Sequence, residues 1–299
     1  MSLPKTLLGR ASSPSRLSAY YELTKPGIAG FVVLTAGVSF YVATGGRVVV
    51  APLLHMLVGV LLATAGALAL NQYVERQVDG LMERTKTRPL PSGRLRPREA
   101  LAFGLLLVLI GVGHLWVAVG WLPAVLTLAS AVAYNGVYTP MKPRSYMATL
   151  AGAIPGAMPA LIGWSAATGQ VTLGAIVLFG IAFLWQLPHV LALAWILRVD
   201  YDRAGFLLTP PADAKGKVIG RQMILYSTAL VPMSLLPTPL GLTGGIYLAG
   251  ALALGIGLLA LSVRAYREMT ARKARGVFLA SLAYQPLLLG LMLVDTVRV

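Results

Sequence analysis

The sequence predicts an all-α, polytopic membrane protein, on three observations. The 299 residues are 57% hydrophobic and only 12% charged, against roughly 25% charged residues in an ordinary soluble domain. Mean hydropathy is +0.75. The few charges are gathered into clusters, which leaves apolar runs at 26–46, 48–74, 100–141, 145–197, 222–263 and 276–294.

A membrane-crossing helix takes about 20 apolar residues. The runs at 26–46 and 48–74 therefore hold one helix each. The run at 100–141 has room for two, and Gly120-Trp121-Leu122-Pro123 breaks it near the middle. At 145–197 the break is Thr168-Gly169-Gln170, and at 222–263 it is the stretch from Pro237 to Gly241; such Gly and Pro clusters are turn signals. A last helix fills 276–294. Nine transmembrane helices result, in one domain over 1–299, because no linker or low-complexity stretch divides the chain. Residues 1–25 form a segment ahead of the first span.

Alternating nine spans puts nearly all basic residues on one side, including Lys25, the Arg76 to Arg98 cluster, Lys142, Arg203 and the Arg264 to Arg275 cluster; Arg47 and Arg298 fall on the other. The positive-inside rule makes the basic side cytoplasmic, with the N-terminus in and the C-terminus out. The net charge of +15 thus reflects topology, with membrane lipid as the surrounding partner. Nucleic acid is excluded, since no folded basic domain lies outside the membrane. Cysteine is absent, which excludes disulfides and thiolate metal sites. The first 21 residues lack acids and carry Arg and Ser, a faint organellar targeting pattern. Their shortness favours a bacterial inner membrane over the mitochondrial inner membrane.

Acids are scarce, and five of the ten lie in two places on the predicted cytoplasmic face: Glu75, Asp79 and Glu83, then Asp200 and Asp202. Spacing by four puts Asn71, Glu75, Asp79 and Glu83 on one helical stripe, each step about 40° past a full turn. Stacked carboxylates repel, so a cation or the interleaved Arg76, Arg84 and Arg88 must neutralise them. Carboxylate and amide oxygens suit a hard divalent cation such as Mg²⁺, which keeps positions for phosphate oxygens. Asn71, Glu75, Asp79 and Asp200 are the expected ligands. Arg84, Arg88 and Arg94, tied to a Pro-Leu-Pro-Ser-Gly turn, suit a diphosphate clamp because guanidinium binds phosphate bidentately. Tyr138 and Lys142 close a span on the same face. Each alone fits a helix anchor, but beside the acids they could hold a leaving phosphate. Gln186, Pro188 and His189 interrupt an apolar run, and polar groups there usually face a cavity. His189 suits an iron or carboxylate ligand, or a hydrogen bond between helices. His55 and His114 stand alone in apolar segments and read as structural.

These strings resemble the UbiA superfamily of intramembrane prenyltransferases, and within it the haem O synthase branch, the protohaem IX farnesyltransferases. The superfamily pattern Asn-x-x-x-Asp-x-x-x-Asp is matched by Asn71, Glu75 and Asp79, with Glu in the middle as in the haem branch. Arg84-Thr-Lys-Thr-Arg88-Pro-Leu-Pro-Ser-Gly-Arg94, Tyr138-Thr-Pro-Met-Lys142, Trp185-Gln-Leu-Pro-His189 and Asp200-Tyr-Asp-Arg-Ala-Gly205 are similar to the same branch. Asp200-x-Asp202 departs from the Asp-x-x-x-Asp of many members, so only Asp200 carries over.

The resemblance implies a nine-helix fold around an intramembrane cavity, its acidic segments on the cytoplasmic face. It implies transfer of a farnesyl group from farnesyl diphosphate to the 2-vinyl group of haem B, with water addition, giving haem O and diphosphate. Mg²⁺ is the cofactor and haem B a substrate. Asp79, Asp200 and Lys142 would be catalytic, Asn71, Glu75, Asp79 and Asp200 metal ligands, and Arg84, Arg88, Arg94, Tyr138 and Lys142 diphosphate ligands. Gln186 and His189 would meet the acceptor. Haem A synthase and terminal oxidase assembly factors are the downstream partners implied. Two rivals remain at this stage: a UbiA-type enzyme with an aromatic quinone or chlorophyll-precursor acceptor, and a transporter or cation channel. A conduction path would need polar residues through the bilayer depth, whereas these acids sit at one interface.

Overall fold

A computed structural model describes residues 15–210 and 213–298. Lys5, Arg10 and most of the expected N-terminal segment lie outside the described residues. All regular elements among the described residues are helical. They are α1 (Arg16–Leu23), α2 (Pro26–Ala43), α3 (Val50–Asp79), α4 (Pro97–Ala118), α5 (Trp121–Val132), a π-helical turn (Ala133–Tyr138), α6 (Thr139–Met141), α7 (Ala148–Thr168), α8 (Leu173–Ile196), α9 (Arg198–Arg203), α10 (Lys217–Leu235), α11 (Gly245–Arg267) and α12 (Ala271–Asp295).

Seven of these helices are long and apolar enough to cross a membrane: α2, α3, α4, α7, α8, α11 and α12. Two expected spans fall short on that measure. The 121–141 segment is divided by the π-helical turn, and α10 opens on Lys217, Arg221 and Gln222. The three expected breaks are present. Gly120 takes φ 149° between α4 and α5, Gly169 takes φ 71° at the end of α7, and residues 236–244 separate α10 from α11. Pro188, by contrast, interrupts nothing, because α8 runs unbroken from Leu173 to Ile196. A proline removes one helical donor but leaves the rest of the ladder to neighbours, and spans buried among other helices tolerate it.

The helices form a ring. α2 packs on α3 and α7, α3 on α4, α4 on α5, α5 on α7, α7 on α8, α8 on α10 and α12, and α12 returns to α2. Lipid tails are as apolar as leucine, so packing and interhelical hydrogen bonds hold such a ring together. Both are visible. α3 and α4 meet backbone to backbone: a Cβ on Gly66 would lie 2.6 Å from the Gly104 oxygen, and one on Gly111 would lie 2.5 Å from the Ala63 nitrogen. Elsewhere Ser39 Oγ donates to the Ala160 carbonyl at 2.6 Å, Ser227 and Ser262 share a 3.0 Å bond, and Ser234 meets Tyr284 at 2.6 Å.

α3 is the longest element. Its 30 residues span about 45 Å, well beyond a hydrocarbon core of about 30 Å. Its last turns therefore stand at the membrane edge.

Candidate active site

Asn71, Glu75 and Asp79 lie on those last turns and all face inward, with exposures of 1%, 7% and 1%. Burying two carboxylates four residues apart requires counter-charge. It comes from three other segments. Lys142 Nζ donates to Glu75 Oε1 at 2.6 Å, and Arg88 Nη1 donates to both oxygens of Asp79, at 2.8 and 2.7 Å. Lys25 Nζ donates to Asn71 Oδ1 at 3.1 Å, while Asn71 Nδ2 donates to Thr139 Oγ1 at 3.1 Å. Three basic side chains thus face two carboxylates, which leaves the cluster receptive to an anion. Burial, and then the neighbouring Arg88, pushes the Lys25 ammonium down to about 7. For Lys142, burial is outweighed by Tyr138 and Glu75, and its ammonium is held above the usual lysine range.

Lys25 carries no signal in the sequence beyond its place in the basic count. Its backbone sets it apart: among the described residues it alone has positive φ without being glycine, at 45°. That left-handed conformation costs roughly 1–3 kcal/mol and survives where surrounding contacts hold it. Pro26 begins α2 immediately after it, and the ammonium is thereby aimed at Asn71.

The π-helical turn shapes the other wall. The Thr139 amide bonds back to the Tyr134 carbonyl, one residue further than in an α-helix. Such turns recur at functional sites. Tyr134 and Tyr138 stand 5.5 Å apart, centroid to centroid, and Lys142 Nζ lies 4.6 Å from the Tyr138 ring centre.

Beneath this charged mouth lies an apolar cavity of about 310 Å³, walled by α2, α3, α5, α7 and α8. Tyr134 and Tyr138 line its upper part, and Ala63, Thr127 and Ile162 line it further along. Ile28 lines both this cavity and an outer cleft that holds Lys25 and Arg88, so the charged and apolar regions adjoin. Gln186 reaches the cavity from α8 and donates to the Ala153 and Ala182 carbonyls at 3.0 and 2.9 Å. Only glycine at 156 permits this, since a Cβ there would lie 2.0 Å from Gln186 Oε1.

The family is now decided. Residues 32–284 match the model of the UbiA prenyltransferase family. The chain belongs to this family. A protoheme IX farnesyltransferase of Solibacter usitatus is 43% identical over 285 residues, 92% of this chain and 98% of that one. Among solved structures, a digeranylgeranylglyceryl phosphate synthase superposes with a TM-score of 0.79 at 16% identity, covering 93% of this chain and 98% of that chain. A UbiA homologue from Archaeoglobus fulgidus, bound to DMAPP and Mg²⁺, gives a TM-score of 0.62 at 15% identity, covering 92% and 99%. At these identities the structures establish the UbiA fold.

Within this UbiA chain the expected site residues part company. Asn71, Glu75, Asp79, Arg88, Tyr138 and Lys142 come together. Glu83 leaves the stripe, because α3 ends at Asp79, and it pairs with Lys86 at 2.5 Å in an exposed turn. Arg76 sits over the Tyr73 ring and donates to the Tyr73 carbonyl. Arg84 donates to Tyr201 Oη at 3.1 Å, and Arg94 to Glu22 and the Thr87 carbonyl, both at 2.7 Å. Asp200 lies on α9 and pairs with Arg203 at 3.4 Å. No three His, Cys, Asp or Glu side chains converge among the described residues. The donors that do adjoin fit Mg²⁺ by chemistry, being the amide of Asn71 and the carboxylates of Glu75 and Asp79, hard oxygens on one inward face.

His189 does not line the cavity. Its Nδ1 bonds Ser281 Oγ on α12 at 2.9 Å, between the rings of Trp185 and Phe278. The side chain thus makes a hydrogen bond between helices. His189→Ala is accordingly expected to lower stability by about 1 kcal/mol, seen as a lower thermal midpoint. An unchanged midpoint would mean that the bond to Ser281 is not what His189 contributes.

Proposed function

We propose that the chain transfers a farnesyl group from farnesyl diphosphate to the 2-vinyl group of haem B, with water addition, giving haem O and diphosphate. The observation that carries this reading is the cluster of Lys25, Arg88 and Lys142 with Glu75 and Asp79 at the mouth of an apolar cavity. The names of the relatives support the choice of substrates.

Arg88, Lys142 and Lys25 exchange their present partners for diphosphate oxygens, so that charge developing on the leaving group meets pre-positioned cations. Asn71, Glu75 and Asp79, joined by Asp200, would hold Mg²⁺, which when bound supplies further neutralisation of that charge. The C1–O bond breaks with its electron pair leaving on diphosphate. The terminal vinyl carbon of haem then bonds to C1, water adds to the inner vinyl carbon, and its proton passes to diphosphate or solvent. A cavity of about 310 Å³ lies at the small end of ligand pockets, ~300–1,000 Å³. It suits an acyclic isoprenoid and leaves the wider porphyrin at its rim, where Gln186 is the acceptor-side polar group. Tyr134 and Tyr138 present ring faces to the allylic cation. Arg84 and Arg94 turn from Tyr201 and Glu22 to the outer phosphate. The mouth is cytoplasmic and the membrane a bacterial inner membrane, in keeping with the basic residues gathered there.

Purified protein with haem B, farnesyl diphosphate and Mg²⁺ should yield a porphyrin heavier by one farnesyl group plus one hydroxyl. No such mass, or product only with a quinone precursor, would overturn the assignment. Arg88→Ala should weaken farnesyl diphosphate binding by roughly 1.5–3 kcal/mol. Arg272→Ala, an exposed change at the start of α12, should leave the titration unaltered; equal losses would reduce Arg88 to a topological charge.

A further inference from the structure

His55 and His114 are two of only three histidines in the protein. Far apart in sequence, they meet in the fold: His55 Nδ1 lies 3.3 Å from His114 Nε2, with ring planes inclined by 47°. The glycine contacts between α3 and α4 fix the separation of the two helix backbones that carry them. His55 is near the start of α3 and His114 near the end of α4, at the end of the molecule opposite Asn71, Glu75 and Asp79. Trp116 and Trp121, 56% and 61% exposed, stand at the same level, as aromatic residues do at a membrane–water boundary. His55 is itself exposed and lies in the second turn of α3, so the pair sits at the surface of the helix bundle close to that boundary.

Two imidazole nitrogens at this distance either share one N–H or direct both lone pairs at one ion. With Zn–N bonds of about 2.0–2.1 Å, a tetrahedral angle sets the two nitrogens about 3.3 Å apart, whereas a right angle would set them about 2.9 Å apart. We propose that His55 and His114 form a Zn²⁺ site that clamps α3 to α4 at the face opposite the diphosphate mouth. His55 Nδ1 and His114 Nε2 are the ligands. No third His, Cys, Asp or Glu joins them among the described residues, so water fills the remaining positions. The site stands apart from the prenyl-transfer reading.

Full-length protein in detergent, with excess Mg²⁺ to occupy hard-oxygen sites, is titrated with Zn²⁺ against a chromophoric chelator. Wild type should bind one more equivalent than the His55→Ala, His114→Ala double variant, and Co²⁺ should give tetrahedral visible bands only in wild type. His114→Gln keeps a hydrogen-bonding side chain but lacks imidazole; it should weaken the site at least tenfold while farnesyl transfer is unchanged. Equal Zn²⁺ stoichiometry and affinity in wild type and the double variant, or full affinity in His114→Gln, would overturn the proposal and leave an N–H···N bond.

Discussion

Asp79→Asn is expected to reduce farnesyl transfer at least about a hundredfold, the scale on which a lost electrostatic contact acts in such sites. Asparagine preserves the size of a side chain that is 1% exposed but removes the charge that balances Arg88. It therefore alters both the proposed metal donors and the resting partner of the clamp. Breaking a buried pair typically costs about 3–5 kcal/mol, so turnover must be read on protein shown by size exclusion and circular dichroism to be folded. Folded Asp79→Asn protein that turns over normally would remove Asp79 from the mechanism.

Gly66→Val should be as damaging, without touching a site residue. The new side chain would drive into the Gly104 carbonyl, 2.6 Å from where its Cβ must sit, and backbone cannot step aside as a flexible side chain can. α3 would part from α4 and carry Asn71, Glu75 and Asp79 out of register with Lys142 and Arg88. Loss of folded protein on extraction, with activity falling in parallel, is the expected result. Gly113→Ala is the control. Nothing lies within 4 Å of a Cβ there, and alanine is favoured over glycine within a helix by about 1 kcal/mol. Equal damage from both substitutions would mean that close α3–α4 contact is not what holds this region.

The breaks at Gly120, Gly169 and 237–241 were legible because turn chemistry is local: a Gly or Pro cluster acts on the few residues around it. The stripe of Asn71, Glu75 and Asp79 was legible for a related reason, since helical spacing follows from sequence separation alone. Glu83 shows where that reasoning stops. Periodicity does not say where a helix ends, and α3 ends four residues before it. Pairings across the fold were hidden altogether. Lys142 reaches Glu75 across 67 residues, Arg94 reaches Glu22 across 72, and His55 meets His114 across 59. Each is a product of helix packing, for which single residues carry no mark. The π-helical turn at Ala133–Tyr138 was equally invisible, because no residue type demands one extra residue in a turn. Pro188 misled in the opposite sense, as a local breaker overruled by the helices around it.

The left-handed backbone at Lys25 places two demands on one position that no single amino acid meets well. Glycine or asparagine would adopt φ 45° with little strain but would supply no ammonium to Asn71. Arginine would keep a charge and keep the strain as well. Substitution at this position should therefore separate two properties that usually fall together: Lys25→Gly gives a protein that melts higher and binds farnesyl diphosphate more weakly. Position 25 is where this chain gives up ease of folding to keep a charge in place.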